Sequence, residues 1–126
     1  MTANALASIS LEPPLFMVSI NCTSNTLSAI MDSRRFCINL LSERQMDVCR
    51  LFASARRDKF GSVRHTFGVT GSPLISGALA HGECNVETTH AAGDQTIVLG
   101  RVVRIAVHDA NPLVYHRGVL SALRAA

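Results

Sequence analysis

The sequence predicts an α+β domain, mainly β and barrel-like. Three observations carry this. The second half holds two long β-type runs, "ALAHGECNVETTH" and "QTIVLGRVVRIAVHD", flanking the turn residues "AAGD". The first half alternates short apolar strands with two helical stretches, and no repeated β-α-β unit appears to favour a doubly wound sheet. Finally, 126 residues at 48% hydrophobic and 17% charged suit one globular domain, expected over 1–126.

The opening "MTANALASISLEPPLFMVSI" reads like the interior of a domain. Ile9, Leu11, Leu15, Met17 and Ile20 are apolar, Pro13-Pro14 makes a corner, and the basic n-region and cleavage site of a signal peptide are missing. "LFMVSIN" at 15–21 is a short strand of buried type. "CTSNTLSAIMDS" then turns into a helix that Ser24 or Thr23 can cap, with Leu27, Ile30 and Met31 at helical spacing. "RFCINLL" at 35–41 is a second strand. It leads into "SERQMDVCRLFAS", where Ser42 and Gln45 have capping-box spacing and Met46, Cys49 and Phe52 form a core face. "ARRDKFGSV" is a charged loop. In the last long run, Val103, Ile105 and Val107 alternate with Val102, Arg104 and Ala106, the period of a half-buried strand, and Gly100 marks a bulge or bend.

Composition excludes several classes. No apolar run reaches the roughly 18 residues of a membrane span, so no membrane association is expected. The net charge of +3 is spread over the pairs Arg34-Arg35 and Arg56-Arg57 and over single arginines. With 5% aromatic residues and no Trp, base-stacking platforms are not evident, and no nucleic-acid partner is expected. Cys22, Cys37, Cys49 and Cys84 form no CxxC pair and read as small hydrophobes of a reducing, cytoplasmic setting. His81-x-x-Cys84 has ligand-like spacing, but no second pair supports it, and no metal is expected. Nucleophile elbow, dinucleotide fingerprint and P-loop are all absent from the sequence.

One local feature suits an anion. "NCTSNT" at 21–26 places hydroxyls at a helix start, where unpaired N–H groups and the helix dipole favour a phosphate; an ordinary N-cap has the same sequence. "TANA" at 2–5 is small and polar enough for a flat ring to approach the backbone, and is equally an ordinary loop.

Taken in order, "MTANALASISLEPPL", Asn21-x-x-Ser24-x-Thr26, "RFCINLLSERQMDVCRLFA", "DKFG", "GSPLISGALAHGEC", "GDQTIVLGRVV" and "NPLVYHRG" resemble the flavin reductase-like family across nearly the whole chain. The resemblance implies an FMN-binding split β-barrel, a Greek-key barrel with short helices. Relative to that pattern the chain is expected to be truncated at the N-terminus, lacking a helix and a barrel strand. It further implies a homodimer that binds FMN or FAD and reduces it with NADH or NADPH, hydride passing from nicotinamide C4 to flavin N5, with reduced flavin going to a partner monooxygenase. Carried over by position, Thr2, Ala3, Asn4 and Ala5 would lie along the isoalloxazine ring, and Ser24 and Thr26 would receive the phosphate. No catalytic acid, base or nucleophile is implied. The family's Gly-Asp-His pattern reads Gly93-Asp94-Gln95 here, which puts Gln95 on the nicotinamide side, and Leu120 stands where many relatives have Tyr. A flavin-binding split barrel without reductase activity, or an inactive truncated remnant, is the alternative.

Overall fold

The computed structural model describes residues 1–124; the last two residues of the expected 1–126 domain lie outside the described residues. In chain order the strands are β1 (Leu6–Leu11), β2 (Pro14–Asn21), β3 (Arg35–Leu40), β4 (His65–Phe67), β5 (Pro73–Ile75), β6 (Ala80–Ala92), β7 (Gln95–Val107), β8 (Leu113–His116) and β9 (Val119–Ala122). Five of them form one antiparallel sheet in the order β1-β2-β7-β6-β3, with β1 and β3 at its edges. Two smaller hairpins, β4-β5 and β8-β9, stand apart from it.

β1 (Leu6–Leu11) and β2 (Pro14–Asn21) meet at the Pro13-Pro14 corner, where Leu11 faces Pro14. β2 alternates as a half-buried strand should, and Val18 and Ile20 point into the core. α1 (Asn25–Ser33) follows at once. Ser24 is its cap: its Oγ accepts from the Thr26 N–H at 3.2 Å, whereas the Thr23 hydroxyl donates to Asn21 Oδ1 at 2.7 Å. Leu27 and Ile30 are buried, but Met31, expected on the same face, is exposed. Arg34 ends the helix at φ 60°, its N–H donating to Ile30 O, and the chain enters β3 (Arg35–Leu40).

α2 (Met46–Ala53) corrects one expectation. Gln45, not Ser42, stands at the helix cap, and it makes no side-chain capping bond there. Its side chain instead accepts from the Ser42 N–H at 3.0 Å and donates to Ser76 O at 2.9 Å. The spacing supplied the backward reach of a capping box, but the helix starts one turn later. The charged loop beyond it contains a 3₁₀ turn at Phe60–Ser62. β4 (His65–Phe67) and β5 (Pro73–Ile75) then form a short hairpin.

β6 (Ala80–Ala92) and β7 (Gln95–Val107) form the long hairpin the sequence announced. Ala92 faces Gln95 across the turn, and of the two turn residues only Gly93 has positive φ, at 62°. Register shifts at Glu83/Cys84 and Val86/Thr88 bend the pair. Gly100 sits opposite Val86 at the second of these. A Cβ there would strike the Phe36 ring and come within 2.8 Å of Cys84 Cβ, so the glycine is where that ring packs onto backbone.

The core gathers Val18, Ile20, Leu27, Ile30, Phe36, Cys84 and Val98 between the sheet and α1. Burying side chains of the Val, Ile and Phe kind is worth about 1.5–3 kcal/mol each, which makes this cluster the main source of stability. The alternation over 102–107 left open which side of the half-buried strand faces inward, and it is not the side of Val103, Ile105 and Val107. All three are exposed, and Val102 packs on the core instead. The alternation was real, but its apolar side is the outer one. β8 (Leu113–His116) and β9 (Val119–Ala122) close the described chain.

Candidate flavin site

The residues between β2 and α1 form a tight, internally bonded loop. Asn21 Oδ1 accepts from the Thr23 N–H at 2.9 Å, the Ser24 N–H donates to Asn21 O, and the Cys22 N–H donates to Asp94 O in the long hairpin's turn. This fixes the start of α1, whose first-turn N–H groups lack carbonyl partners within the helix apart from those the cap supplies. A partial positive charge is thereby held at a rigid point.

A cleft of about 630 Å³ opens at that point. One wall is Ser24, Asn25 and Thr26; the other is the end of α2 and the loop after it, with Phe52, Arg56, Arg57, Lys59 and Phe60. The Lys59 ammonium donates to Phe52 O at 2.9 Å, which ties the basic loop to the last turn of α2. The nearby Asp58 carboxylate accepts from the Gly61 N–H at 3.0 Å. Three cations and a helix N-terminus therefore face one cavity, an arrangement suited to a phosphate or diphosphate. The sequence reading picked out Ser24 and Thr26 but left Arg56, Arg57 and Lys59 as a solvated loop. Their signal was the pairing of that basic run with "DKFG", which spacing alone does not connect to 21–26.

The Thr2–Ala5 segment is exposed and does not line this cleft; only Met1, the residue before it, does. Thr2 Oγ1 donates to Cys49 O on α2 at 2.9 Å, and Ala5 O accepts from the Ser19 N–H on β2 at 3.0 Å. The segment thus spans from α2 to the sheet, with Ala3 and Asn4 exposed between the two anchors. Gln95 lies outside the cleft, beside the turn of the long hairpin. Its Oε1 accepts from Ser19 Oγ at 3.2 Å, and its Nε2 donates to Asp94 Oδ1 at 3.4 Å.

A second, larger cleft of about 850 Å³ lies between the β4-β5 hairpin and the far end of the long hairpin. It is lined by Phe67, His81, Glu83, Arg104 and His108 among others. Glu83 is buried to 1% exposure, with Oε1 accepting from the Thr70 N–H at 3.0 Å and the Thr70 hydroxyl at 2.8 Å. Burial pushes its carboxyl up, but the Thr70 bonds, the Val69 backbone and Arg104 together outweigh that and hold it below the ordinary value. The carboxylate in turn helps burial raise the neighbouring thiols, Cys37 to about 12 and Cys84 to about 11. The His81 Nε2–H donates to Ile75 O at 2.8 Å, which leaves Nδ1 to accept from His108 Nε2 at 3.3 Å. With a buried carboxylate on its wall, this cleft is the poorer match to an anionic cofactor. Among the described residues no cluster of three or more His, Cys, Asp or Glu side chains could hold a metal ion. No described helix is long and apolar enough to cross a membrane.

Residues 1–124 match the family profile described as the flavin reductase like domain. The chain belongs to this family. The mainly β architecture with two short helices is its split β-barrel. Among curated relatives, the reductase subunit HsaB of a flavin-dependent monooxygenase from Rhodococcus jostii (strain RHA1) is 38% identical over 115 residues, which cover 90% of this chain and 59% of that protein. An NADH-dependent flavin reductase from Rhodococcus sp is 38% identical over 98% of this chain and 69% of its own length. Among solved structures, a homologue of nitrilotriacetate monooxygenase component B from Mycobacterium thermoresistibile superposes with a TM-score of 0.93 at 34% identity, covering 97% of this chain and 70% of that one. The NADH:FAD oxidoreductase SgcE6 of Streptomyces globisporus C-1027 gives 0.93 at 28% identity, covering 98% and 76%. This member of the flavin reductase family spans between 38% and 63% of the length of relatives from Rhizobium meliloti, Rhodococcus jostii and Mycobacterium tuberculosis.

Proposed function

We propose that this chain binds FMN or FAD and is an NAD(P)H-dependent flavin reductase. The observation that carries the reading is the convergence of the capped α1 N-terminus with Arg56, Arg57 and Lys59 over one cleft. In this reading Ser24 and Thr26, with the first-turn N–H groups, hold the flavin phosphate, and the basic loop neutralises its charge. Thr2, Ala3, Asn4 and Ala5 offer backbone to the edge of the ring, held taut between Cys49 and Ser19. Such donors are placed to stabilise negative charge as it develops. Bound flavin supplies the redox chemistry, accepting hydride from the nicotinamide of NADH or NADPH, so the chain needs no acid, base or nucleophile of its own. Gln95, on the nicotinamide side, hydrogen-bonds as an amide and carries no charge, so it adds no titration to nucleotide binding.

A monooxygenase is the proposed recipient of the reduced flavin, and the names of several relatives support this. They include the reductase component of a flavin-dependent trigonelline monooxygenase from Acinetobacter baylyi. A homodimer is supported by the outward apolar row Val103, Ile105 and Val107, with Ile105 58% and Val107 72% exposed. A cytoplasmic setting suits both nicotinamide nucleotides and the four free thiols.

The test is NAD(P)H oxidation by folded protein with and without added flavin. The reading expects a rate that rises with flavin and saturates; consumption indifferent to flavin counts against it. One observation favours flavin binding without turnover: both ends of the Gln95 amide are already engaged, by Ser19 and Asp94. Stoichiometric flavin binding with no NAD(P)H oxidation selects that second reading.

A further inference from the structure

A row of aromatic rings runs from the flavin cleft to the rim of the second cleft, where Phe67 stands. Phe52 and Phe60 both line the cleft and meet edge to face, with ring centres 5.0 Å apart. Phe60 meets His65 at 5.2 Å, and His65 meets Phe67 at 5.5 Å, each again edge to face. The sequence has only five phenylalanines, and three of them stand in this row. Exposure grows along it: Phe52 is buried, Phe60 is 37% exposed and Phe67 is 68% exposed. The rings are also held in place. The Val63 N–H donates to Phe60 O at 3.2 Å, His65 Nδ1 bonds Val63 O at 2.8 Å, and His65 and Phe67 are fixed in register with Ile75 and Pro73.

We propose that this row, with Phe67 as its outer ring, is an adenine subsite that extends the flavin cleft to a dinucleotide. The proposal rests on the flavin reading above. The row leaves the cleft at Phe60, the residue next to Lys59, so a base stacked beyond it follows directly from a diphosphate held by Arg56, Arg57 and Lys59. The cations alone do not discriminate, because the phosphate monoester of FMN and the diphosphate of FAD bring similar negative charge. The rings do discriminate, because only the dinucleotide carries a second flat base. His65 adds a chemical preference. Its Nδ1 carries the proton given to the Val63 carbonyl, so in the neutral ring Nε2 is an acceptor, complementary to the exocyclic amino group of adenine. FAD and NADH both carry adenine, and the experiment separates the two sources.

Wild type, Phe67→Ala and Phe67→Tyr are titrated with FMN, FAD and ADP, and the KM for NADH is measured, with thermal melts to confirm folding. If the subsite serves FAD, Phe67→Ala weakens FAD and ADP by about tenfold, leaves FMN within about twofold, and Phe67→Tyr restores both. If it serves NADH, ADP affinity falls and the KM for NADH rises by about tenfold in Phe67→Ala while both flavin affinities hold. The proposal is overturned if loss of the ring moves none of FAD, ADP and NADH, or moves FMN and FAD by the same factor. Should wild type bind neither flavin, Phe67-dependent ADP binding sustains the subsite while the flavin reading falls. Absence of ADP binding as well overturns both.

Discussion

Replacing Glu83 by Ala tests the most unusual buried group in the fold. Glu83 is among the largest fully buried side chains, and its Oε1 accepts two bonds from Thr70, itself buried. Thr70 also passes the network on, its Oγ1 lying 3.0 Å from Ser72 Oγ and accepting from the Ser72 N–H at 3.3 Å. Hydrogen bonds to a charged group contribute about 1.5–3 kcal/mol each, and the Ala variant loses two. Relief of the carboxylate's own desolvation offsets part of this, leaving a net destabilisation of about 2–4 kcal/mol. For a domain of this size that lowers the melting temperature by about 8–16 °C. Glu83→Gln keeps the shape and an acceptor oxygen but not the charge, and costs about 1 kcal/mol. Urea unfolding followed by circular dichroism reads both variants. An Ala variant within about 0.5 kcal/mol of wild type would refute the reasoning, since that is the range of ordinary surface changes.

Four further outcomes follow from the same geometry. Because the folded Glu83 carboxyl is held below its ordinary value of 4.5, its contribution is complete above that value and is lost as pH falls through the lower folded one; acid melts should show this limb in wild type and not in Glu83→Gln. Gly100→Ala drives a methyl into Phe36 and Cys84 and should cost about 1–3 kcal/mol by chemical unfolding. The Arg56→Ala/Arg57→Ala double variant should weaken flavin binding by about 1.5–3 kcal/mol, with a shallower salt dependence in a fluorescence titration. Ser24→Ala should cost about 1 kcal/mol of stability through the lost α1 cap and also weaken flavin binding.

The long hairpin was legible because two runs of strand type surround Gly93-Asp94, and both helices because their apolar spacing is local, though only α1 has the side-chain cap its sequence suggested. What a local pattern leaves open is which side faces inward. Val103, Ile105 and Val107 have the period of a strand, and only the placement of Phe36 and α1 decides that their side is the outer one. Glu83 escaped for the complementary reason. A carboxylate in an alternating strand reads as solvent-facing, and the Thr70 cradle that lets it be buried lies thirteen residues away in sequence. Ser24 and Thr26 were visible as a helix start with an anion-binding character. Arg56, Arg57 and Lys59 were not, because their partnership with α1 exists only once α2 has folded between the two and Lys59 has bonded Phe52 O.

The central claim is that the α1 N-terminus and the basic loop make a flavin site, and an FMN titration of the purified chain followed by flavin fluorescence tests it most directly. The account predicts saturable quenching in the low micromolar range, a Kd near 10⁻⁶ M or about −8 kcal/mol, weakened in the Arg56→Ala/Arg57→Ala double variant. A folded chain that shows no saturable change, or binds flavin equally well without those arginines, would contradict it.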